Sequence, residues 1–513
     1  MSGHDVFLGI DLGTTSVKAA LVDEQGGPVG QLGAEYPLYQ PRPNWAEQSP
    51  MDWWDRVREI IPALLRRCNV EGERVKGISI SCQAPTCLGI DRNGNPVERA
   101  IIWMDRRSQE ICDEKLSQYA EKIRATCGNR VDPYYFLPKY LWLRKYRREQ
   151  EGQARWFLQA NAWIVYKMTG AVSIDTTHLT HLQVYNVFSD TWDEELMEDL
   201  GIDRERFPQI FWPSQVVGEL CGSVAKTLGL KAGTPVMAGC TDAAATAVGL
   251  HHVEPGRLFE MSGQSSGIGL IADFPAVNPL LNLSRGAFPN RWTQKGSMST
   301  SGGALRWFRD QVDGQTGKSE RYAQYDTLAR QAPPGANGVI FLPYLAGERA
   351  PLWDSNACGM FFGLHATTGR ADLIRAIMEG TAFGLRTILD VFDPSLLTNR
   401  CLYGTGGGYR SRLWAQIKAD VLDMPIQVLH IEYDAASVGS AYLATEGVSG
   451  TRPTKMEHVK ADAIYAPDQR NRELYEEGYQ IFKELYRNNA PLMRQNMAFL
   501  CNHTTLEPEE ITV

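Results

Sequence analysis

Asp11 closes an apolar run, Val6 to Ile10, and Gly13, Thr14, Thr15 and Lys18 follow it before a second apolar run, Ala19 to Val22. Two strands joined by a tight turn fit this pattern, because glycine permits backbone angles and close approaches that other residues resist. Such a turn presents N–H groups and hydroxyls to an anion, with one carboxylate beside them to manage a metal ion. No G-x-G-x-x-G follows the strand, which separates it from dinucleotide-binding turns. Two further turns of the same character occur, Ser262-Gly-Gln-Ser-Ser-Gly267 and Gly404-Thr-Gly-Gly-Gly408. One alone leaves an ordinary hairpin with a glycine turn as the alternative. Three spread over two halves fit a nucleotide held between domains, with a phosphate turn on each side and Gly406 to Gly408 where a base or ribose meets backbone. Asp242 supplies the chemistry: it opens the small-residue run Asp242 to Gly249 after an apolar strand. An acid there can cap the helix, or accept a hydroxyl proton while that oxygen attacks phosphorus.

The elements that must position these residues alternate. Strand patterns fall at Phe7 to Asp11, Ala19 to Asp23, Gly77 to Ser81 and Val236 to Gly239. Helical patterns fall at Trp53 to Cys68, Ser108 to Ala120, Pro138 to Tyr146, Asn161 to Thr169, Ala371 to Phe392 and Ser411 to Leu422. The segment Arg257 to Ala272 repeats the plan of the opening hairpin, which implies two similar domains facing each other. We expect divisions at 1–253, 254–450 and a helical tail, 451–513. At 513 residues the chain exceeds one core. A net charge of −8 argues against nucleic acid or an anionic membrane as partner, and no apolar run spans a membrane. Ten scattered cysteines without C-x-x-C read as reduced thiols in a cytoplasmic chain.

The chain resembles the FGGY carbohydrate kinases, and among them the xylulokinases. The resemblance rests on Asn44-Trp-Ala-Glu-Gln48, Ile101-Ile-Trp-Met-Asp-Arg106, Phe341-Leu-Pro-Tyr-Leu-Ala-Gly-Glu-Arg349, Gly359-Met-Phe-Phe-Gly-Leu364 and Ala435-Ala-Ser-Val-Gly-Ser-Ala-Tyr-Leu-Ala444, in that order. It implies an α/β fold of two ribonuclease H-like domains, as in actin, hexokinase and the Hsp70 ATPase, with a cleft between them. It implies ATP and Mg²⁺, a small sugar or polyol acceptor such as the ketopentose xylulose, and a homodimer as the frequent assembly. Asp242 would be the general base and Asp11 would help hold Mg²⁺. Gly13, Thr14, Thr15 and Lys18 would face the phosphates. Gly263, Gln264, Ser265 and Ser266 would form the second phosphate turn, with Gly303, Gly407 and Gly408 on the nucleotide side. Gln83, Ala84, Trp103, Asp105 and Arg106 would line the sugar side, with Asp242.

Three departures stand out. Cys82-Gln-Ala-Pro85 replaces the xylulokinases' Gly-Gln-Met-His, Ala243 replaces an Asn, and Gly263-Gln-Ser replaces Gly-Thr-Ser. The first two remove polar sugar ligands and leave ribulose, erythritol, glycerol or another polyol or ketose as alternatives. A different class, an actin-like or Hsp70-like ATPase, lacks support because nothing after Gly450 is long enough for a peptide-binding domain. Gly314-Gln-Thr-Gly-Lys-Ser319 imitates the end of a P-loop without a preceding strand. His178 and His181 have H-x-x-H spacing but no third ligand, so a surface or packing role is expected.

Overall fold

Strands Val6–Leu12 and Ser16–Asp23 pair antiparallel around the first turn, with Asp11 opposite Lys18. The computed structural model describes residues 4–42, 44–315, 321–453 and 459–503. The hairpin sits in a sheet of order Val216–Glu219, Pro235–Met237, Val75–Cys82, Val6–Leu12, Ser16–Asp23, Pro28–Glu35, with Cys240–Thr241 continuing along Val75–Cys82. Every residue of Val6–Leu12 is buried, which is why its apolar run is nearly continuous rather than alternating. Helix Pro50–Cys68 covers one face through Trp53, Val57, Ile60, Ile61 and Leu64. On the other face lie helices Asp242–Gly249 and Ala435–Ser449.

The second sheet repeats the plan. Leu258–Met261 and Ser266–Ala272 form its antiparallel hairpin, Trp292–Met298 and Asn282–Arg285 extend one side, and Leu402–Thr405 and Ile426–Ile431 run parallel on the other. Its last strand corrects the expected helical tail: Val459–Tyr465 pairs antiparallel with Ile426–Ile431 before helix Arg472–His503 begins. The polar composition of that strand hid it, since it is an edge strand with Ile464 69% exposed. Tyr475, Tyr479 and Phe482 of the long helix then pack into the second core.

The chain also crosses back. Ala435–Ser449, placed by sequence in the 254–450 division, packs on the first sheet and against Asp242–Gly249. Small residues permit it: a Cβ on Gly9 would lie 1.9 Å from the Ser437 carbonyl oxygen, and one on Gly439 1.9 Å from that of Ala245. A second correction concerns Ser108 to Ala120, expected as one helix. It is a short turn of helix, Gln109–Ile111, then a widened turn, Cys112–Leu116, and a tight one, Ser117–Tyr119. The five-residue step from Ile111 to Leu116, both buried, suits the widened turn. Nine of the ten cysteines, Cys68 through Cys401, are free thiols. Among the described residues no helix is long and apolar enough to cross a membrane. Of the P-loop-like segment, residues 316–319 lie outside the described residues, as do the final residues 504–513.

Candidate active site

Three carboxylates and one lysine meet at the end of the first strand. Asp11 is buried, and its Oδ1 accepts the Ser81 hydroxyl at 2.7 Å. Lys18 reaches across to Asp434, Nζ to Oδ1 2.6 Å. Asp434 caps helix Ala435–Ser449, its Oδ2 accepting the Ser437 N–H at 3.0 Å. Burial, then repulsion from Asp434 and Asp242, pushes the Asp11 carboxyl well above the usual range, against the pull of Ser81 and Lys18. For Lys18, burial opposes the charge but Asp434 outweighs it, and the ammonium is held above its ordinary range. Sequence reasoning missed Asp434. Its signal was available, since an Asp directly before Ala-Ala-Ser-Val is a helix start.

Asp242 resolves the two readings of its position. Thr241 is the cap, its hydroxyl accepting the Ala244 N–H at 3.3 Å, so Asp242 is the first helical residue instead. Its Oδ1 takes the Ala243 N–H at 2.7 Å, and Oδ2 has no hydrogen-bond partner among the described residues. Burial raises the Asp242 carboxyl, while Lys295 is the strongest influence lowering it. Behind it lies a sealed relay. The Thr177 hydroxyl accepts the Thr241 N–H at 2.9 Å, and Asp175 holds both Thr177 and the His178 Nδ1, the latter at 2.7 Å. His178 and His181 are therefore buried, not on the surface: the polar network needed a ring with two nitrogens, and Cys82 Sγ lies 3.6 Å from Nε2.

The second and third turns are built as one piece. Ser262 N–H donates to the Thr405 carbonyl at 2.8 Å, and the Gly408 N–H donates to the Ser262 carbonyl at 3.1 Å. Gly406 has φ of 100°, and a Cβ there would lie 2.5 Å from the Ser262 oxygen, so only glycine fits. Beneath both turns Lys418 Nζ sits 2.5 Å from Glu260 Oε1 and 2.9 Å from Ser262 Oγ, with the Tyr409 hydroxyl on Glu260 Oε2. Gly263, Gln264, Ser265 and Gly407 remain exposed. Two expected nucleotide contacts do not. Ser266 is buried with its hydroxyl on Glu260 at 2.7 Å, and the Gly303 N–H is spent on the Gln264 carbonyl at 2.9 Å. Both brace the turn from behind, because a strand start and a neighbouring helix start need those donors.

On the far side of Asp11, Trp103 Nε1 donates to the Thr14 hydroxyl at 3.1 Å and Gln48 Nε2 to the Thr14 carbonyl at 2.5 Å. Gln83 is buried and donates to Gln48. Asp105 needs correction as a sugar ligand. It is fully buried, with Oδ2 on the Ala46 N–H at 2.6 Å and both oxygens on Arg107, so its charge anchors the wall. Arg106 pairs with Asp132 at 2.5 Å, and the Ala84 carbonyl accepts the Tyr134 hydroxyl at 2.9 Å. Tyr134, unremarked in the sequence, feels both Asp242 and Arg349, and burial raises its phenol well above the usual range. Lys139 is buried beneath it and donates to its carbonyl.

Among the described residues no three His, Cys, Asp or Glu side chains form a protein-only metal cage. Mg²⁺ acting with a nucleotide keeps waters and is held by one or two carboxylates together with substrate phosphates. Asp434 and Asp242 crowd Asp11, and Lys18 is paired with Asp434, a donor set that fits a cation there.

Two sequence-family models match the chain: the N-terminal domain of the FGGY family of carbohydrate kinases over residues 6–249 and its C-terminal domain over residues 269–446. The chain is 28% identical to a xylulose kinase of Staphylococcus epidermidis over 95% of this chain and 98% of that one. It is 30% identical to a glycerol kinase of Carboxydothermus hydrogenoformans, covering 92% and 96%. A gluconokinase of Bacillus subtilis is 28% identical, covering 85% and 86%. A solved xyloylose kinase from Brucella ovis superposes with a TM-score of 0.87 at 28% identity, covering 95% and 100%.

Proposed function

Because the chain belongs to the FGGY family of carbohydrate kinases and so is an ATP-dependent sugar kinase, we propose that Asp242 is its general base. The observation that carries this is the free Oδ2 of a helix-opening aspartate whose capping duty Thr241 has taken over. In this reading the acceptor hydroxyl loses its proton to Asp242 as its oxygen bonds to the γ-phosphorus. The bridging bond to the β-phosphate breaks, and ADP leaves in line. The Thr177 and Asp175 relay keeps the helix start in register, so the carboxylate keeps its aim.

The phosphates would lie between the two turns, against Gly13 to Lys18 on one side and Gly263 to Ser265 with Gly407 on the other. Mg²⁺, when bound with ATP, neutralises phosphate charge, and in this reading Asp11 would help hold it. Lys18 would turn from Asp434 to the phosphates. The acceptor would sit on the 1–253 side, along Gln83, Trp103 and Tyr134, and closure of the cleft would exclude water. A ketopentose such as xylulose is favoured by several relatives' names. Gluconokinase and glycerol kinase among them leave the acceptor open.

A coupled ADP-release assay over pentuloses, hexuloses, polyols and sugar acids tests the reading. Turnover stimulated by one acceptor, and lost in Asp242→Asn with ATP binding retained, is the expected result. Sugar-independent turnover unchanged by that substitution would overturn it.

A further inference from the structure

Lys295 has no part in the chemistry above, yet it faces the cleft. It lies within strand Trp292–Met298, whose Trp292 and Gln294 are buried on one face, where Gln294 donates to the Ala276 carbonyl. A Cβ on Gly296 would strike Ile388 on that same face. Lys295 therefore leaves the sheet on the opposite face, where the strongest charges acting on it are Asp242 and Arg349. Strand register sets its distance from the phosphates. Met298 pairs with Ser266 at the second turn, whereas Lys295 pairs with Gly269. Three residues of strand put it about 10 Å farther from the turn. Its other neighbour is Asn282, whose Oδ1 accepts the Tyr135 hydroxyl at 2.8 Å. Lys295 thus stands beside the Tyr134–Tyr135 corner, on the acceptor side of Asp242.

Arg349 joins it there. One guanidinium nitrogen donates to the Met298 carbonyl at 2.9 Å, and the charges acting on it are Glu348 first, then the Tyr134 phenol and Arg106. Glu348, next in the chain, attracts Arg349 without a direct ion pair, since its Oε1 is taken by the N–H groups of Ser299 and Arg349, both at 2.7 Å. Neither Lys295 nor Arg349 has a carboxylate within 4.0 Å among the described residues. Each cation feels one acid, Asp242 or Glu348, without a direct ion pair, and an anion arriving in the cleft would give both a hydrogen-bonded partner.

We propose that the acceptor is an anionic one: an open-chain polyhydroxy acid whose carboxylate lies against Lys295 and Arg349 while a hydroxyl at the other end meets Asp242. The inference rests on the kinase reading for the fate of that hydroxyl, but not for the binding of the acid. The departures at Ala84, Pro85 and Ala243 are consistent with it, since a charged contact replaces neutral sugar ligands.

The test compares five- and six-carbon aldonates with the polyols and ketoses of equal length, by calorimetric binding without nucleotide and by ADP release with it. An aldonate should bind best, and Lys295→Met should weaken it by about tenfold or more, as expected for a charge-assisted contact, with Lys295→Arg restoring much of the loss. A neutral ketose preferred over every acid, with Lys295→Met leaving its KM unchanged, would overturn the inference and leave the kinase intact. Lys295-dependent acid binding without phosphorylation would uphold the inference and sink the kinase reading. If Lys295→Met instead raises KM for ATP alone, or only shifts the acidic limb of the kcat–pH profile equally for all acceptors, Lys295 serves the phosphates or Asp242 and the inference fails.

Discussion

Two acid–lysine pairs lie under corresponding hairpins of the two halves, and they have opposite characters. Lys418 and Glu260 are both fully buried, and Ser262, Ser266 and Tyr409 complete their hydrogen bonds. Lys18 and Asp434 are partly exposed, with side chains 39% and 18% accessible, and the buried Asp11 carboxyl beside them is repelled by both Asp434 and Asp242. A satisfied, sealed pair fixes geometry; an open cluster with excess negative charge stores affinity for a cation and works only when a ligand completes it. The repeated plan of the two sheets thus carries a sealed pair beneath one turn and an open acid cluster beside the other.

The sharpest way to break this contrast is Asp242→Asn. We expect kcat to fall by about 10²–10⁴ with ATP affinity preserved, measured by coupled assay and calorimetry. Next in size is Lys418→Met, which strands the Glu260 charge in a sealed site. We expect a loss of about 3–5 kcal/mol in urea unfolding, as for other broken buried pairs. Adding Glu260→Gln should recover much of it, and a loss no larger than that of an exposed pair would erase the distinction.

Asp11→Asn sharpens the comparison from the other side. Its folded-state pKa is raised by burial and by Asp434 and Asp242, so the fold loses stability as pH rises from about 3.9, the unfolded value, through the folded one. The substitution should raise the midpoint of thermal unfolding near neutral pH, with a smaller gain below pH about 4, while Mg²⁺-dependent ATP binding is lost. An unchanged or lowered midpoint at neutral pH would contradict the strained-acid account. The smallest structural effect belongs to Lys18→Met, expected within about 1 kcal/mol in stability because an exposed pair contributes little. Its ATP KM should nevertheless rise.

Legibility in the sequence followed the range of the interaction. The hairpin around Gly13, the turn at Gly406 to Gly408 and the start of the helix at Asp242 were readable because each depends on residues a few positions apart. The widened turn at Cys112–Leu116 was not, since tertiary packing overrode the helical pattern. Nor was the strand Val459–Tyr465, whose pairing partner lies about a turn and a helix away and whose own residues are polar. Asp105 and Ser266 looked like ligands by type, but burial committed them to Arg107 and Glu260. Asp434 and Lys295 enter the site from 192 and 53 residues beyond Asp242, through a helix that crosses to the first sheet and a strand of the second.

By itself the sequence determined the two-domain kinase family and the local devices that need particular residue types: glycines for positive φ and close approach, hydroxyls and acids for turns and helix starts. Only the tertiary structure decided which acids remain free to act and which are spent on anchoring. Charge state and availability depend on desolvation and on partners brought from far along the chain, and neither is a property of neighbouring residues.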